Sequence, residues 1–522
     1  MPDFIAIAAF LGLALLVWNC IEVGRNDAAN LVNAVFGARV LTRQRAVMLA
    51  AVAVVLGAGV SSSVMETARK GIFDPTVLTV GQAMAVYISV YFVNTVLLFA
   101  FSGFGMPVST TACLVFELVG ASLFLVGPAN VHWPKVQSVI TAIVVSIFIS
   151  CVASFLIMRI FRGAIRERAQ DRRAVILHGP WIAGAMFTGL TWFMVFKGLD
   201  NIAVVKDFKA HTFETYGEGV MLLALWAGYT LLTHLVLVMT HRKWCRYLFS
   251  FTAVLGMLCM AFAFGQNDLA NAASPGLAGL NLWQHGEGFD SAANLATKIP
   301  IGAWALVGCG VLMASGMFTT YAQRVTRAEV NTASQFDQVA LYAPRWCKVL
   351  ARWILPNTWQ QTGSVLAPPP TKTTDQKKIH YDTLRASVIT GVGASVIAFA
   401  SGRGLPVSTT YVAFAAVIGT GLSDRVFARG DSDTKIGRAI WVVSCWFIAP
   451  FVAMIATGLV AVAVYNLRTS GLVVCLLANL GLRFLFQRYA DRHEKAYHPP
   501  TDGDDDGGGS PNAAASPSSP SA

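Results

Sequence analysis

The sequence predicts an all-α, polytopic membrane protein of about 12 transmembrane helices in two inverted-topology repeats, with broken helices and inward-pointing half-helices. Three observations carry that expectation. The chain of 522 residues is 55% hydrophobic and only 13% charged, where soluble domains carry about 25% charged residues. Its mean hydropathy is +0.57, and apolar runs near the roughly 20 residues that span a bilayer core recur along it. Two short polar motifs each occur twice, in the same order, inside those apolar runs.

Taken in order, the candidate spans are 4–35, 45–62, 77–101, 106–126, 136–158, 180–196, 217–240, 247–279, 300–320, 383–401, 405–422 and 439–465. The spans 4–35 and 247–279 are expected to be interrupted. A further segment, 470–487, contains Arg483 and either crosses the bilayer or lies on its surface. Residues 2–18 lack the basic start of a cleaved signal and read as the first span. With the N-terminus outside, the loops that face the cytoplasm carry 24 Lys and Arg and the opposite loops carry nine. That asymmetry orients a multi-pass protein in a cell inner membrane. It also accounts for the net charge of +11 with no nucleic acid as partner; the expected surroundings are a lipid bilayer.

The chain divides accordingly. A first transport repeat covers 1–160, connecting helices and loops 161–246, and the first part of a second repeat 247–320. A cytoplasmic loop follows at 321–380, then the rest of the second repeat at 381–465, a C-terminal helical segment at 466–497 and a disordered tail at 498–522. Within the loop, 338–355 mixes Trp346 and Trp353 with Arg345, Lys348 and Arg352, as an amphipathic helix at the lipid interface does; a solvated linker is the alternative. The tail is rich in Asp, Gly, Ser, Pro and Ala and buries too little apolar surface to order itself. The nine cysteines include no C-x-x-C pair and read as packing residues, with no disulfide framework or metal site.

The repeated motifs hold the chemistry. Gly24-Arg25-Asn26-Asp27-Ala28-Ala29-Asn30 matches Gly265-Gln266-Asn267-Asp268-Leu269-Ala270-Asn271, as G-x-N-D-x-A-N. Gly105-Met106-Pro107-Val108-Ser109-Thr110-Thr111 matches Gly404-Leu405-Pro406-Val407-Ser408-Thr409-Thr410, as G-x-P-V-S-T-T. Asp27 precedes Ser109 by 82 residues and Asp268 precedes Ser408 by 140; the excess is about the size of the 321–380 loop. With the orientation above, the two copies of each motif run in opposite directions, a common plan of secondary transporters.

A carboxylate at mid-bilayer costs roughly 2.5–3.5 kcal/mol on insertion scales, so Asp27 and Asp268 are candidates for function; structural acids bonded to a neighbouring helix are the alternative. Asn26, Asn30, Asn267 and Asn271 flank them. With Gly24 and Gly265 they suit a helix that breaks and restarts, its free N–H groups capped by Asn or Asp. Pro107 and Pro406 fit poorly inside a helix, and Ser109 and Ser408 are good N-caps. Each would then begin a short helix whose N-terminus, with Thr110, Thr111, Thr409 and Thr410, offers N–H and O–H donors to an anion. Ordinary Ser/Thr packing between membrane helices is the alternative. An anion beside two aspartates needs a positive companion, so coupling to Na+ or H+ follows from the charges.

These paired motifs resemble the inorganic phosphate transporter (PiT) family, which includes the sodium-phosphate symporters of animals. The similarity covers roughly residues 4–465 without the 321–380 loop, and the stretch 65–72 (Met-Glu-Thr-Ala-Arg-Lys-Gly-Ile) also resembles that family. It implies a secondary active transporter importing inorganic phosphate by symport with Na+ or H+, through inverted repeats, as a homodimer. The implied substrate-binding residues are Ser109, Thr110, Thr111, Ser408, Thr409, Thr410, Asn26 and Asn267; Asp27, Asp268, Asn30 and Asn271 couple the cation. No other cofactor and no resident metal is implied. Sulfate or a metal-phosphate complex is the alternative cargo. Relatives usually carry His after S-T-T, where Ala112 and Tyr411 stand here. Arg25 replaces a small or apolar residue, and Glu117 is an unexpected acid. Arg25 is either an extra anion ligand or gate, or the partner of Glu22 or Glu117, with pairing preferred.

Other classes fit less well. An intramembrane aspartyl protease would need Y-D and G-x-G-D motifs around the two acids, and neither is there. P-loop and H-E-x-x-H motifs are also missing from the sequence, so no enzyme is expected. An anion channel fits paired midplane sites less well than alternating access does. His234 reads as a packing residue.

Overall fold

Backbone N–H and C=O groups in hydrocarbon must be satisfied within their own segment, which makes helix the default for each long apolar run. The computed structural model describes residues 4–61, 78–165, 171–199, 202–240, 243–286, 288–293, 302–332, 334, 342–354, 380, 382–428 and 432–497. Among these the elements are α1 (Phe4–Gly37), α2 (Arg43–Ala58), α3 (Val80–Gly103), α4 (Thr110–Val126), α5 (Trp133–Ile165), α6 (Arg172–Leu190), α7 (Ala203–Tyr216), α8 (Glu218–Met239), α9 (Leu248–His285), α10 (Ala303–Gly316), α11 (Thr320–Thr332), α12 (Arg345–Ile354), α13 (Thr383–Gly402), α14 (Thr409–Ser423) and α15 (Ser432–Tyr497). A π-helical stretch, Thr191–Lys197, continues α6.

Among the described residues, eight helices are long and apolar enough to cross a bilayer, and α10 with α11, bent by 68°, makes a ninth; α4 and α14 are shorter apolar helices. The all-α polytopic architecture is therefore as expected. α15 is two arms, 432–467 and 469–497, divided at Arg468 (φ 50°, ψ −125°). Gly471 packs on Ala463 and Val464, so the second arm turns back on the first.

The expected helix breaks are absent. α1 and α9 run unbroken through both G-x-N-D-x-A-N motifs. Their Asn and Asp side chains do not cap restarted helices; they reach partners on other elements, so the backbone has no need to open. Helical structure also runs on to Thr332, inside the expected 321–380 loop. The stretch 65–72, residues 355–379 of the loop and the tail 498–522 lie outside the described residues. α12 buries Cys347 and Ala351 and leaves Trp353 83% exposed, an amphipathic helix resting on α15. His234, read as a packing residue, lies instead on the exposed face of α8.

The two halves interlock crosswise. Gly24 on α1 lies against the backbone of Met313 on α10, and Gly265 on α9 against that of Val54 on α2; an added Cβ would fall 1.7 and 2.2 Å from those carbonyl oxygens. In the same way Gly120 on α4 meets Met454 on α15, and Gly419 on α14 meets Cys151 on α5. Small residues let membrane helices approach to backbone contact. Each motif helix is thus braced by the half of the chain it does not belong to.

Candidate functional site

The P-V-S-T-T segments make two matching turns. Gly105 (φ 65°) and Gly404 (φ 66°) adopt left-handed backbone, which a glycine takes without penalty. The chain then enters α4 and α14. Ser109 Oγ accepts from the N–H of Ala112 at 3.0 Å and Ser408 Oγ from that of Tyr411 at 3.1 Å. These are N-caps at the predicted serines.

The motif helices hold those turns. Asn26 Nδ2 donates to the Val108 carbonyl at 2.6 Å, and Asn267 Nδ2 to the Val407 carbonyl at 2.8 Å. Asn26 Oδ1 and Asn267 Oδ1 accept in return from the N–H groups of Val108 and Val407, both at 3.4 Å. Each Asn therefore fastens the turn of its own half.

The aspartates reach the other half. Asp27 Oδ1 accepts from Thr410 Oγ1 at 2.6 Å, from Asn30 Nδ2 at 2.9 Å and from Asn26 Nδ2 at 3.0 Å. Asp268 Oδ1 accepts from Thr110 Oγ1 at 2.7 Å and Asn271 Nδ2 at 2.8 Å, while its Oδ2 takes Asn267 Nδ2 at 3.3 Å. Asn30 also donates to Thr410 Oγ1 at 3.1 Å, and Asn271 to Thr111 Oγ1 at 2.7 Å. Thr111 closes the ring by donating to the Val407 carbonyl at 2.9 Å, and Thr410 Oγ1 lies 3.2 Å from the Val108 carbonyl. Thr409 lies against Asp268. All twelve residues named as ligands or coupling groups are thus gathered into one cluster, and none is more than 2% exposed. The match is not perfect: Asp27 takes the last threonine of its opposite S-T-T, Asp268 the middle one.

Oxygens remain for a ligand. Asp27 Oδ2, Asn30 Oδ1 and Asn271 Oδ1 are buried with no hydrogen-bond partner among the described residues. Hard monovalent cations favour such carboxylate and amide oxygens. No group of three or more His, Cys, Asp or Glu that would hold a resident metal occurs among the described residues.

Around this cluster sits a charged one. Glu22 is fully buried and accepts from Arg25 Nη1 on both oxygens, at 2.9 and 2.7 Å, from Trp18 Nε1 at 3.2 Å and from Arg483 Nη2. Of the partners considered for Arg25, Glu22 is the one it takes; Glu117 is not bonded to it. Arg25 Nε also donates to Thr319, at the bend between α10 and α11. Arg483, the residue that made 470–487 doubtful, packs over Trp18 and Phe99 and donates to the Thr95 carbonyl. This partner is invisible to sequence reasoning, because Glu22 lies 461 residues away. Asn33, donating to Glu329 on α11 at 2.8 Å, was also missed. A polar residue seven positions after Asn26, on the same helix face, was the available signal.

The family model described as the phosphate transporter family matches residues 23–334 and 368–469. A Thermococcus kodakarensis protein named as a phosphate permease is 27% identical over 476 residues, covering 88% of this chain and 97% of that one. The chloroplastic inorganic phosphate transporter 2-1 of Arabidopsis thaliana is 25% identical over 466 residues, covering 83% of this chain and 68% of its own length. A solved structure titled the sodium-dependent phosphate transporter shares the fold, with a TM-score of 0.62 at 20% identity over 89% of this chain and 98% of that one.

Proposed function

The chain belongs to the phosphate transporter family, and from that premise we propose that it imports inorganic phosphate across the cell inner membrane by symport with Na+ or H+. The single observation that carries this reading is the crossed pair Asp27–Thr410 and Asp268–Thr110, which puts both acids and both S-T-T turns in one buried cluster.

The physics runs from the turns outward. The cap bonds of Ser109 and Ser408 use the N–H groups of Ala112 and Tyr411, which leaves the first two amides of each helix for an anion. Two positive helix ends, with hydroxyls of Thr110, Thr111, Thr409 and Thr410, suit a tetrahedral oxyanion. Asp27 and Asp268 would repel it unless a cation neutralises them, so Asp27, Asn30, Asp268 and Asn271 take the cation and the anion follows. Asn26 and Asn267 hold the turns in register. The two halves act as inverted-topology repeats that rock about this cluster, with the N-terminus outside.

The test is reconstitution in liposomes, with labelled phosphate and labelled sulfate uptake measured under imposed Na+ or H+ gradients. Phosphate uptake driven by one gradient and absent without it supports the reading. Saturating sulfate uptake with none for phosphate replaces the cargo, and uptake indifferent to both gradients defeats symport.

A further inference from the structure

Glu117 is the one acid singled out in the sequence that the cluster above does not use. It stands on α4 eight residues after Ser109, about 12 Å along the helix. Seven positions after Thr110 and four after Cys113, it shares their face. It is fully buried, and neither carboxyl oxygen has a hydrogen-bond partner among the described residues.

The elements packed against α4 are α15, α3, α9, α5 and the short 3-10 turn Pro128–Asn130, which carries no titratable side chain. No Lys, Arg, His, Asp or Glu occurs in α3 or in the α15 stretch 439–466; their titratable groups are Tyr87 and Tyr91, and Cys445 and Tyr465. At the start of α15, Arg438 donates to the carbonyls of Gly105 and Tyr342, and Lys435 is buried three residues before it. α9 brings Asp268, already held by Thr110. α5 brings Cys151, with Lys135 near one end and Arg159 and Arg162 near the other; Arg162 is bound to Asp424 and Asp382. The described surroundings thus offer no bonded cation to offset a charge on Glu117.

We propose that Glu117 is a proton-binding site of the transport cycle, loaded while α4 is seated against α15 and emptied when that packing opens to water. A buried carboxylate without a partner is costly, and a neutral carboxyl much less so. Seating α4 and taking up a proton therefore favour each other, and the linkage is reciprocal. Only the proton is exchanged, from water and back to water. The half-helix that carries Glu117 is also the one that presents Ser109, Thr110 and Thr111, so the proton is tied to movement of one wall of the phosphate site. The corresponding position on α14, eight residues after Ser408, is Ala416, so one half of the molecule carries this device. The inference rests on the transporter reading above.

Two measurements on the full-length protein test it. Infrared difference spectra of wild type against Glu117→Gln should isolate the carbonyl stretch of a protonated carboxyl in the wild type. Identical spectra in that region would overturn the proposal, and Glu117→Asp, which shifts the band, serves if the Gln variant does not fold. In liposomes with an internal pH dye, Glu117→Gln should move one proton fewer per phosphate than the wild type at the same external pH. Equal proton counts would overturn it, since Gln can neither take up nor release the proton; a heat-stable Gln variant that moves no phosphate leaves the decision to the infrared comparison. Wild-type protein that takes up no phosphate would instead defeat the transporter reading and leave the infrared result standing.

Discussion

Arg25 and Gln266 occupy the same step of the two heptapeptides, yet they are tied down by different means. Arg25 joins a buried ion cluster, giving Nη1 to Glu22 and Nε to Thr319. Glu22 is shared with Arg483 from the C-terminal arm. Gln266 makes one neutral contact, Nε2 to the Gly198 carbonyl at 3.1 Å just past the π-helical stretch, while its own carbonyl accepts from Ser61 Oγ at 2.6 Å. One step inward, the bonds of Asn26 and Asn267 agree to within 0.2 Å. The residues against the cluster are held alike in the two motifs, and the layer behind them differs. Where that layer carries charge, as at Arg25 and Arg483, the acid Glu22 sits in the same place, as a membrane interior demands.

The largest effect should come from breaking the charged version. Glu22→Ala leaves two arginines without their shared acid, and losing one partner of a buried ion cluster costs about 3–5 kcal/mol. Thermal unfolding in detergent should show that loss, and Glu22→Ala combined with Arg483→Met should recover part of it. A single variant as stable as the wild type would mean that the first half does not depend on its ion cluster.

Next come the acids, where the halves are expected to behave alike. Asp27→Asn and Asp268→Asn each weaken hydrogen bonds made to a charged group, worth about 1.5–3 kcal/mol, or roughly 10- to 100-fold in cation-driven phosphate uptake. Uptake that survives in both variants with its cation dependence intact defeats the coupling role. A large loss in one and none in the other would show that Asp27, with Oδ2 unbonded among the described residues, and Asp268, with both oxygens bonded, do different work.

Much of this was legible in the sequence, for reasons that can be named. Apolar length marks a membrane helix almost by itself, so α3, α8 and α13 needed no more than hydropathy. The motif residues were visible because Asn, Asp, Ser and Thr are expensive in apolar runs and recur in order. The serine caps followed from local chemistry. What failed was the inference from polar residue to broken helix: Asn26 and Asn267 spend their amides on Val108 and Val407, 82 and 140 residues away, and such a partner is set only by tertiary packing. The bend between α10 and α11, the π-helical stretch and the Arg483–Glu22 pair were hidden for the same reason.

Packing between the halves gives a third comparison. Gly24→Ala and Gly265→Ala would each drive a methyl into a carbonyl of the opposite half, Met313 in one case and Val54 in the other. Overpacking of this kind costs about 1–3 kcal/mol, and backbone cannot move aside as a side-chain tip can. Both variants should lose heat stability by similar amounts. A loss confined to Gly24 would mean that the α9–α2 contact is looser than its geometry and that the crosswise bracing is one-sided.

The smallest effect is expected at Gln266. Gln266→Ala removes one side-chain bond, and hydrogen bonds between membrane helices average about 0.6 kcal/mol. The change should therefore be several times smaller than that of Glu22→Ala in the same unfolding assay. The carbonyl bond from Ser61 does not involve the Gln266 side chain and should survive. The residue lies directly before Asn267, so the informative readout is the ratio of the two variants across stability and uptake. If Gln266→Ala matches Glu22→Ala in stability, the difference in the outer layer is cosmetic and the neutral contact at Gly198 holds the second half as firmly as the ion cluster holds the first.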